Sequence, residues 1–321
     1  MKTLKEIYQA NEELNYIDSS LYSRYRVKAG LRNDNGTGVK VGLTKICDVI
    51  GYKFVHEKKY NIDGQLIYRG YPINYLVDKQ PKDRIFGFEE VAFLLIFGTL
   101  PTEEQLQEFK DYLLNFKMGP VDLQYETPNI LNALQIEVLK LYAKDPSADT
   151  DDLEERMMKG LNILASIPLF TFSYARNKVF KSYPYPDKSL AENILCMARG
   201  NDQYTLEEAR ILDTLLMVHA DHGGGNNSTF ANVVISSTGT DIYSCISAAI
   251  GSLKGPKHGG ANCKVTNMFK AIFHEVGFTT DKLTLKKIAN RLLDKDFFDH
   301  SGLIYGIGHA ICTKSDPRAL L

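Results

Sequence analysis

The chain has 321 residues, of which 44% are apolar and 24% are charged, and its 38 basic and 39 acidic side chains leave a formal net charge of -1. This composition is typical of a globular protein and excludes a fully disordered chain. The balanced charge excludes a general electrostatic attraction to nucleic acid or to acidic membranes, so neither is predicted as a partner. A polyanionic ligand therefore requires a local binding site.

The N-terminus and the cysteines indicate the cellular compartment. The first residues, MKTLKEIYQANEEL, alternate charged and apolar side chains, and no apolar run in the chain is long enough to cross a membrane, so no signal peptide is expected. The cysteines are odd in number, far apart and never in a C-x-x-C pair, which argues against a disulfide framework and a thiolate zinc site. They are Cys47, Cys196, Cys245, Cys263 and Cys312. We therefore predict a cytoplasmic protein.

One segment near the N-terminus has the pattern of a β-sheet. In residues 46–70, aromatic and branched aliphatic side chains stand on both sides of the dipeptide Asp63-Gly64. Such a dipeptide between two β-prone stretches is typical of a hairpin turn. The sequence therefore predicts a small hairpin whose turn is at Asp63-Gly64.

Helical periodicity dominates the remainder of the chain. Residues 87–97 are almost entirely apolar after two early glutamates and stop at Gly98, as expected for an interior helix. The next helix, 102–116, begins with Thr102 and Gln105 in a capping-box pattern. Further helices are predicted at 129–144, 151–179, 188–199, 205–221, 241–253, 260–276 and 284–294. The fold class predicted is all-α and multihelical, with a minor β-hairpin.

A division into two domains is predicted near 255–262, where glycine and proline interrupt two helices. We expect a large helical domain at 1–258, which includes the hairpin, and a small helical domain at 259–321 that is incomplete at its C-terminal end. The glycine-rich junction at 255–260 is a candidate hinge for closure of the small domain over the large one.

Histidines supply the sharpest chemical signal in the chain. Only seven occur, and four of them stand in the segments HADHGGGNNS (219–228), GPKHGGAN (255–262) and YGIGHAICTKSDPR (305–318). A single histidine is more often structural than catalytic, but three such segments together predict a functional site.

The first segment permits two interpretations. His219 and His222 share a helix face, and with Asp221 they fit a metal site of a metal-dependent hydrolase. No third ligand follows at a familiar spacing, so no metal is predicted, and metal analysis tests this alternative. We favour a cradle for a small polar ligand, in which the glycines at 223–225 let the backbone approach closely and Asn226 supplies a polar side chain.

The other two segments suggest contacts to carbonyl and anionic groups. His258 precedes the predicted helix at 260–276, whose positive N-terminal end favours a neutral imidazole that can donate to a developing enolate. A loop histidine that fills a turn explains this local pattern equally well. Before His309, the Gly306-Ile307-Gly308 stretch exposes backbone amides to an adenine or a phosphate, and Arg318 offers a bidentate fork to a carboxylate.

Taken together and in chain order, these segments resemble the citrate synthase family. The resemblance covers nearly the whole chain and includes Tyr68-Arg69-Gly70 and the residues FGTLP at 97–101. It implies a mostly helical homodimer with a large and a smaller mobile domain, which condenses acetyl-CoA with oxaloacetate and then hydrolyses the citryl thioester. Acetyl-CoA is then a cosubstrate, and no bound cofactor is expected.

The resemblance also implies roles for individual residues. His258 matches the histidine that hydrogen-bonds the thioester carbonyl, and His309 matches the one that polarises the ketone of oxaloacetate. Contacts to oxaloacetate are implied for His222, Asn226 and Arg318. Contacts to coenzyme A are implied for Gly306, Ile307, Gly308 and Lys314.

One part of the family pattern is absent. The aspartate that removes the methyl proton lies well after the histidine matched by His309, whereas the sequence ends twelve residues after it. Asp294, Asp296 and Asp299 precede His309, and Asp316 belongs to the DPR turn. The expectation is a C-terminally truncated citrate synthase that is nearly inactive alone.

The main alternative is a 2-methylcitrate synthase that uses propionyl-CoA, followed by a citryl-CoA lyase-like activity and a non-catalytic oxaloacetate-binding protein.

Overall fold

The computed structural model describes residues 18, 20–25, 44–56, 58–119, 121, 127–256, 258–309 and 311–321, and all structural statements concern this part of the chain. Helices dominate it, and one small sheet lies near the N-terminus, which confirms the predicted all-α class with a minor hairpin. Among these residues no helix has the length and apolar character needed to span a bilayer.

The sheet is antiparallel and three-stranded. Its strands, in spatial and chain order, are β1 (Cys47–Val55), β2 (Lys58–Tyr68) and β3 (Tyr71–Pro72). The hairpin is confirmed, but the predicted turn at Asp63-Gly64 is wrong. Val55 pairs with Lys58, so the chain reverses after Val55, and Asp63 and Gly64 lie within β2.

A β-bulge occupies the place where the turn was expected. The pairing partner in β2 changes from Gln65, opposite Ile50, to Asn61, opposite Tyr52. More residues of β2 than of β1 lie between these pairs, so Asp63 and Gly64 bulge out of the ladder. The ladder continues on both sides, because aromatic and branched side chains follow on each side of the dipeptide.

The helices follow the sequence closely. In chain order they are α1 (Ser20–Arg24), α2 (Ile73–Asp78), α3 (Gly87–Phe97), α4 (Glu103–Leu114), α5 (Ile130–Tyr142), α6 (Leu153–Arg176), α7 (Leu190–Arg199), α8 (Leu206–His219), α9 (Asn227–Ser236), α10 (Ile242–Leu253), α11 (Ala261–Val276), α12 (Lys282–Leu293) and α13 (Pro317–Leu320). Every predicted helix is present, with ends that differ by three residues or fewer. A 3-10 turn, Gly223–Gly225, precedes α9.

Helix α9 lies outside the predicted helices. Its β-branched residues, among them Thr229 and Val233, lower helix propensity. The signal for its start is Asn226, whose Oδ1 accepts the backbone N–H of Thr229 at 2.8 Å. The predicted capping box of Thr102 and Gln105 is confirmed at the start of α4.

Four clusters of buried apolar side chains lie within the described residues, and two of them are larger than the others. The larger core contains apolar side chains of α3 to α7, such as Phe93, Leu113 and Leu169. The second lies between the sheet, α3 and α8, and it includes Cys312 from the C-terminal segment. A separate cluster around Met268 draws only on α11, α12 and residues 297–305. The predicted division after residue 258 stays a prediction.

Glu89 of α3 is a fully buried carboxyl group at the edge of the larger core. Its Oε1 accepts the backbone N–H of Leu190 at 2.7 Å, whereas its Oε2 has no hydrogen-bond partner among the described residues. Burial, reinforced by the charge of Asp213, raises the pKa of Glu89 to about 8. The side chain is therefore protonated in the folded protein at neutral pH.

We expect this carboxyl to make the protein less stable as the pH rises. Between about pH 4.5 and about pH 8 the unfolded chain has released the Glu89 proton while the folded protein retains it, so the free energy of unfolding falls. Glu89→Gln, which stays neutral, should lose this slope in urea denaturation across the range. Glu104→Gln, at an exposed position of α4, should keep the slope. The same slope in Glu89→Gln as in the parent would contradict the interpretation.

Candidate active site

Residues from two distant parts of the sequence meet beyond the C-terminal end of α8. The rings of His222 and His309 lie edge to face, with centroids 5.2 Å apart. Arg318 lies against both, with Nη1 2.9 Å from His222 Nδ1 and Nη2 3.5 Å from His309 Nε2. We call these three residues the His222–Arg318–His309 cluster. The structure therefore brings together three of the residues that the sequence proposed.

His258 lies close to this cluster without joining it. Its charge is among those that lower the pKa of His222, so the two side chains are within electrostatic range. Its backbone N–H donates to the carbonyl of Gly255, and its own carbonyl accepts from Ala261, the first residue of α11. The backbone of His258 is therefore fixed at the entrance to α11, where the sequence predicts this residue.

Hydrogen bonds at the ring nitrogens determine where the imidazole protons lie. His309 Nδ1 accepts the backbone N–H groups of Ile311 at 3.2 Å and Cys312 at 2.9 Å. His222 Nδ1 faces the guanidinium of Arg318, which only donates. Each neutral ring therefore carries its proton on Nε2. In His309 the two backbone donors at Nδ1 outweigh the longer 3.5 Å approach of Arg318 Nη2 to Nε2, which is then a contact between two donors and not a hydrogen bond. Two imidazole rings and one guanidinium lie in contact, and this concentration of N–H donors suits an anionic or carbonyl-rich ligand.

The charge of the cluster is set by Arg318 and its acidic neighbour. Asp316 accepts from Arg318 Nε at 2.9 Å and from Nη2 at 2.6 Å, a bidentate pair that fixes the plane of the guanidinium. The Arg318 side chain is only 18% exposed. Burial and the charge of Arg318 lower the pKa of His222 to about 4. His222 is therefore neutral at neutral pH.

We expect His222 to resist protonation until strongly acidic pH. Because its pKa in the folded protein is about 4 instead of 6.5, the unfolded chain binds the proton first, and stability is lost as the pH falls from about 6.5 to about 4. An NMR titration of histidine ring protons should show no midpoint for His222 above about pH 5, with His222→Gln used to assign its signal. A His222 midpoint near its usual value would contradict this picture.

Tyr68 of β2 supports the C-terminal end of α8 through its hydroxyl group. Its side chain is completely buried, and its hydroxyl lies 3.1 Å from the carbonyl oxygens of Met217 and Asp221. The same hydroxyl accepts the backbone N–H of Asp221 at 3.2 Å. These contacts tie β2 to the residue that directly precedes His222. The sequence indicated Tyr68 only as part of a resemblance, and its role is visible only in the structure.

The glycine turn after His222 packs on the sheet. Gly223 has a φ of 73°, and a Cβ at this position would lie 2.8 Å from the carbonyl oxygen of Cys47 in β1. Asn226 donates from Nδ2 to the carbonyl of Gly223 at 2.7 Å and to Thr229 Oγ1 at 2.9 Å. Asn226 therefore braces the turn and caps α9, and its predicted contact with oxaloacetate stays a prediction.

The predicted coenzyme A loop is a glycine turn at the surface. Gly306 and Gly308 have φ values of 86° and 97°, which L side chains rarely adopt, and Ile307 between them is 77% exposed. Lys314 pairs with Asp63 at 2.9 Å in a solvent-exposed contact. Solvent screens such exposed pairs, so this contact contributes little to stability. The coenzyme A contacts stay a prediction.

The metal interpretation of HADH is not supported by the geometry. His219 is exposed, with Nδ1 2.7 Å from the carbonyl of Leu215, whereas His222 contacts Arg318. Asp221 uses its Oδ1 to accept the backbone N–H of Gly223. In the part of the chain that the structure describes, these side chains therefore do not form a shared metal site.

A different group has the composition of a metal site. His309, Cys312 and Asp316 offer ligand atoms that all lie within 4.8 Å of one another. Asp316, however, is paired with Arg318, and His309 Nδ1 already accepts two backbone N–H groups. A cation would have to displace a guanidinium from its carboxylate, so this arrangement favours an anion over a metal ion.

Comparison with known proteins agrees with this geometry. Residues 32–321 match the family described as citrate synthase, C-terminal domain. The chain belongs to the citrate synthase family. This confirms the resemblance inferred from the histidine segments.

Relatives within the citrate synthase family are similar over most of the chain. The citrate synthase of Haloferax volcanii is 36% identical over 270 residues, which are 80% of this chain and 66% of that protein. The 2-methylcitrate synthase 1 of Corynebacterium glutamicum is 33% identical over 265 residues, which are 79% of this chain and 65% of that protein. The chain thus spans just under two thirds of the length of these relatives.

A solved structure of the family supports the fold. The crystal structure of citrate synthase from Thermotoga maritima superimposes with a TM-score of 0.66 at 29% identity. The match covers 89% of this chain and 70% of that one. The all-α architecture is therefore that of citrate synthases.

Proposed function

We propose that the protein condenses acetyl-CoA with oxaloacetate to citrate through an enolate and a citryl thioester. The observation that carries the proposal is the mutual contact of two imidazole rings and one guanidinium in the His222–Arg318–His309 cluster. A keto diacid is complementary to these donors. The Nε–Nη2 fork of Arg318 is held by Asp316 and one Nη1–H faces His222, so a carboxylate can accept from the remaining guanidinium N–H groups, and the ketone oxygen matches an imidazole N–H.

Each residue of the cluster has a distinct part in the proposed reaction. His309 donates from Nε2 to the ketone and stabilises the oxygen as negative charge develops, and such a donor is typically worth ~3–4 kcal/mol. His222 and Arg318 bind the carboxylate side of oxaloacetate. His258 donates to the thioester oxygen while the methyl group loses its proton, and the resulting enolate carbon forms the new bond to the ketone carbon.

The base that takes the methyl proton is not assigned among these residues. Asp299 is paired with Lys264 at 3.0 Å, and Asp316 is paired with Arg318 at 2.6 Å. Both carboxylates are committed to a neighbouring cation. We therefore propose that these residues supply the oxaloacetate side of the reaction and that the chain alone has very low turnover.

Calorimetric titration with oxaloacetate tests the proposal. We expect saturable binding of one oxaloacetate per chain, and weaker binding of succinate, which has the same carboxylates without the ketone. Failure of the folded protein to bind oxaloacetate would contradict the proposal. Release of thiol from acetyl-CoA at ordinary enzyme rates would contradict the expectation of low turnover but not the assignment of the site.

A 2-methylcitrate synthase is the second candidate, because a relative with that name is 33% identical. The two activities differ by one methylene in the acyl group, which is worth only ~1–3 kcal/mol in an apolar pocket. A comparison of kcat/KM for acetyl-CoA and propionyl-CoA decides between them. Binding of oxaloacetate without any turnover of either acyl-CoA supports a non-catalytic binding protein.

The homodimer implied by the family resemblance has support in α9. This helix is rich in apolar residues, yet none of its side chains is buried, and Val234 is 51% exposed. Apolar patches of this kind usually mark an interface. We expect a dimer mass in sedimentation analysis, and a shift to monomer in Val234→Glu. A monomeric parent chain at micromolar concentration would contradict pairing through α9.

We also propose a reducing compartment, the cytoplasm. All five cysteines are free thiols, and four of them are buried. Free thiols persist where the glutathione and thioredoxin systems keep cysteines reduced. Cell fractionation tests this assignment.

A further inference from the structure

The β-bulge of the sheet lies directly against the segment 311–315. The backbone N–H of Gly64 donates to the carbonyl oxygen of Ser315 at 3.1 Å and lies 3.2 Å from its Oγ. Asp63 accepts from Ser315 Oγ at 3.1 Å and from Lys314 Nζ at 2.9 Å. These contacts join parts of the chain that are 251 positions apart in sequence.

The two glycines of the bulge leave no room for a side chain. A Cβ at Gly51 would lie 2.1 Å from the carbonyl oxygen of Ile311, and a Cβ at Gly64 would lie 2.3 Å from that of Ser315. Neither glycine has a positive φ, so backbone strain does not explain their presence. Close approach of the 311–315 backbone requires glycine at both positions.

The segment 311–315 lies between His309 and Arg318 in the sequence, and it determines the geometry of both side chains. The backbone N–H groups of Ile311 and Cys312 hold His309 Nδ1 and place its proton on Nε2. On the other side, Asp316 follows Ser315 and orients Arg318 through two hydrogen bonds. A shift of the segment therefore moves the imidazole and the guanidinium together.

We propose that Asp63 and Gly64 are positioning residues, which clamp the segment 311–315 and thereby align His309 and Arg318 for the ligand. The identity of that ligand as oxaloacetate rests on the proposed function. The clamp consists of contacts within the protein and exists before any ligand binds. Neither Asp63 nor Gly64 is expected to touch the substrate.

Gly64→Ala tests the clamp by NMR and calorimetry. A methyl group at this position pushes the Ser315 carbonyl away, so hydrogen exchange of the Ile311 and Cys312 amides should become at least about tenfold faster. The ¹⁵N shifts of His309 should no longer report a fixed Nε2–H tautomer. Oxaloacetate affinity should fall at least about tenfold through the loss of alignment. Asp63→Asn retains an acceptor for Ser315. It should therefore change the amide exchange rates, the His309 tautomer and the oxaloacetate affinity less than Asp63→Ala does.

Gly119→Ala is the matched control, because a Cβ at Gly119 meets no atom of the described residues within 4 Å. It should leave the exchange rates and the His309 tautomer unchanged. If hydrogen exchange of the Ile311 and Cys312 amides and the tautomer of His309 are unchanged in a folded Gly64→Ala protein, the proposed clamp is wrong. If Gly64→Ala does not fold, Asp63→Ala decides, since Asp63 is 70% exposed and its loss is not expected to unfold the protein. Lack of oxaloacetate binding by the parent would contradict the proposed function and leave the NMR test of the clamp valid.

Discussion

Replacing Arg318 by lysine is expected to lower the affinity for oxaloacetate by about 100-fold, although the positive charge is retained. Arg318 contacts His222 through Nη1 and Asp316 through Nε and Nη2, so its plane is fixed before a ligand arrives. A lysine ammonium cannot reproduce this fork. Loss of two charge-assisted hydrogen bonds at ~1.5 kcal/mol each gives ~3 kcal/mol, which corresponds to about two powers of ten.

Calorimetry of the Arg318→Lys protein with oxaloacetate measures this effect. Arg291→Lys is the matched control. Arg291 of α12 pairs with the carboxylates of Glu275 and Asp296, as Arg318 pairs with that of Asp316, but it lies outside the cluster. The control should bind as the parent does. Affinity of Arg318→Lys within about threefold of the parent would show that Arg318 does not bind the ligand.

Replacing Tyr68 by phenylalanine is expected to reduce the free energy of unfolding by ~2–3 kcal/mol. The substitution removes only the hydroxyl, yet the backbone groups of Met217 and Asp221 then lose a buried partner. The Met217 carbonyl keeps the N–H of Ala220, but the backbone groups of Asp221 left without the hydroxyl carry the cost of their desolvation. Because Asp221 directly precedes His222, we also expect weaker oxaloacetate binding.

Urea denaturation and calorimetry measure both consequences of Tyr68→Phe. Tyr75→Phe provides the control, since Tyr75 is 51% exposed and its ring stacks on Tyr71 without a buried hydroxyl. The control should unfold at the same urea concentration as the parent. A Tyr68→Phe protein as stable as the parent would mean that the hydroxyl does not support the end of α8.

The helices were predictable because their signals are local. The capping box of Thr102 and Gln105 and the left-handed Gly98 after α3 involve residues a few positions apart. Such signals act before any tertiary contact forms. They also account for the close agreement between the predicted and observed ends of the helices.

The β-bulge was not predictable from local sequence. Asp63-Gly64 is a typical hairpin dipeptide, and nothing beside it distinguishes a turn from a bulge. The choice is made by the segment 311–315, which packs against Gly64 and binds Asp63. A contact across 251 positions carries no signal in a single sequence.

The candidate site was predictable as a set of residues but not as a geometry. The glycine-rich surroundings of His222 and His309 marked both as functional. The ring contact between them, the guanidinium of Arg318 against His222 and the support from Tyr68 depend on the packing of the sheet, α8 and the C-terminal segment. The tautomers follow from backbone N–H groups and are likewise set by the fold.

A crystal structure of this chain with bound oxaloacetate is the most direct measurement of the central claim. We predict that one carboxylate of oxaloacetate lies within hydrogen-bond distance of Arg318 and that the ketone oxygen accepts from His309 Nε2. Oxaloacetate bound away from His222, His309 and Arg318, or a metal ion held by His309 and Asp316 in place of the guanidinium, would contradict the assignment.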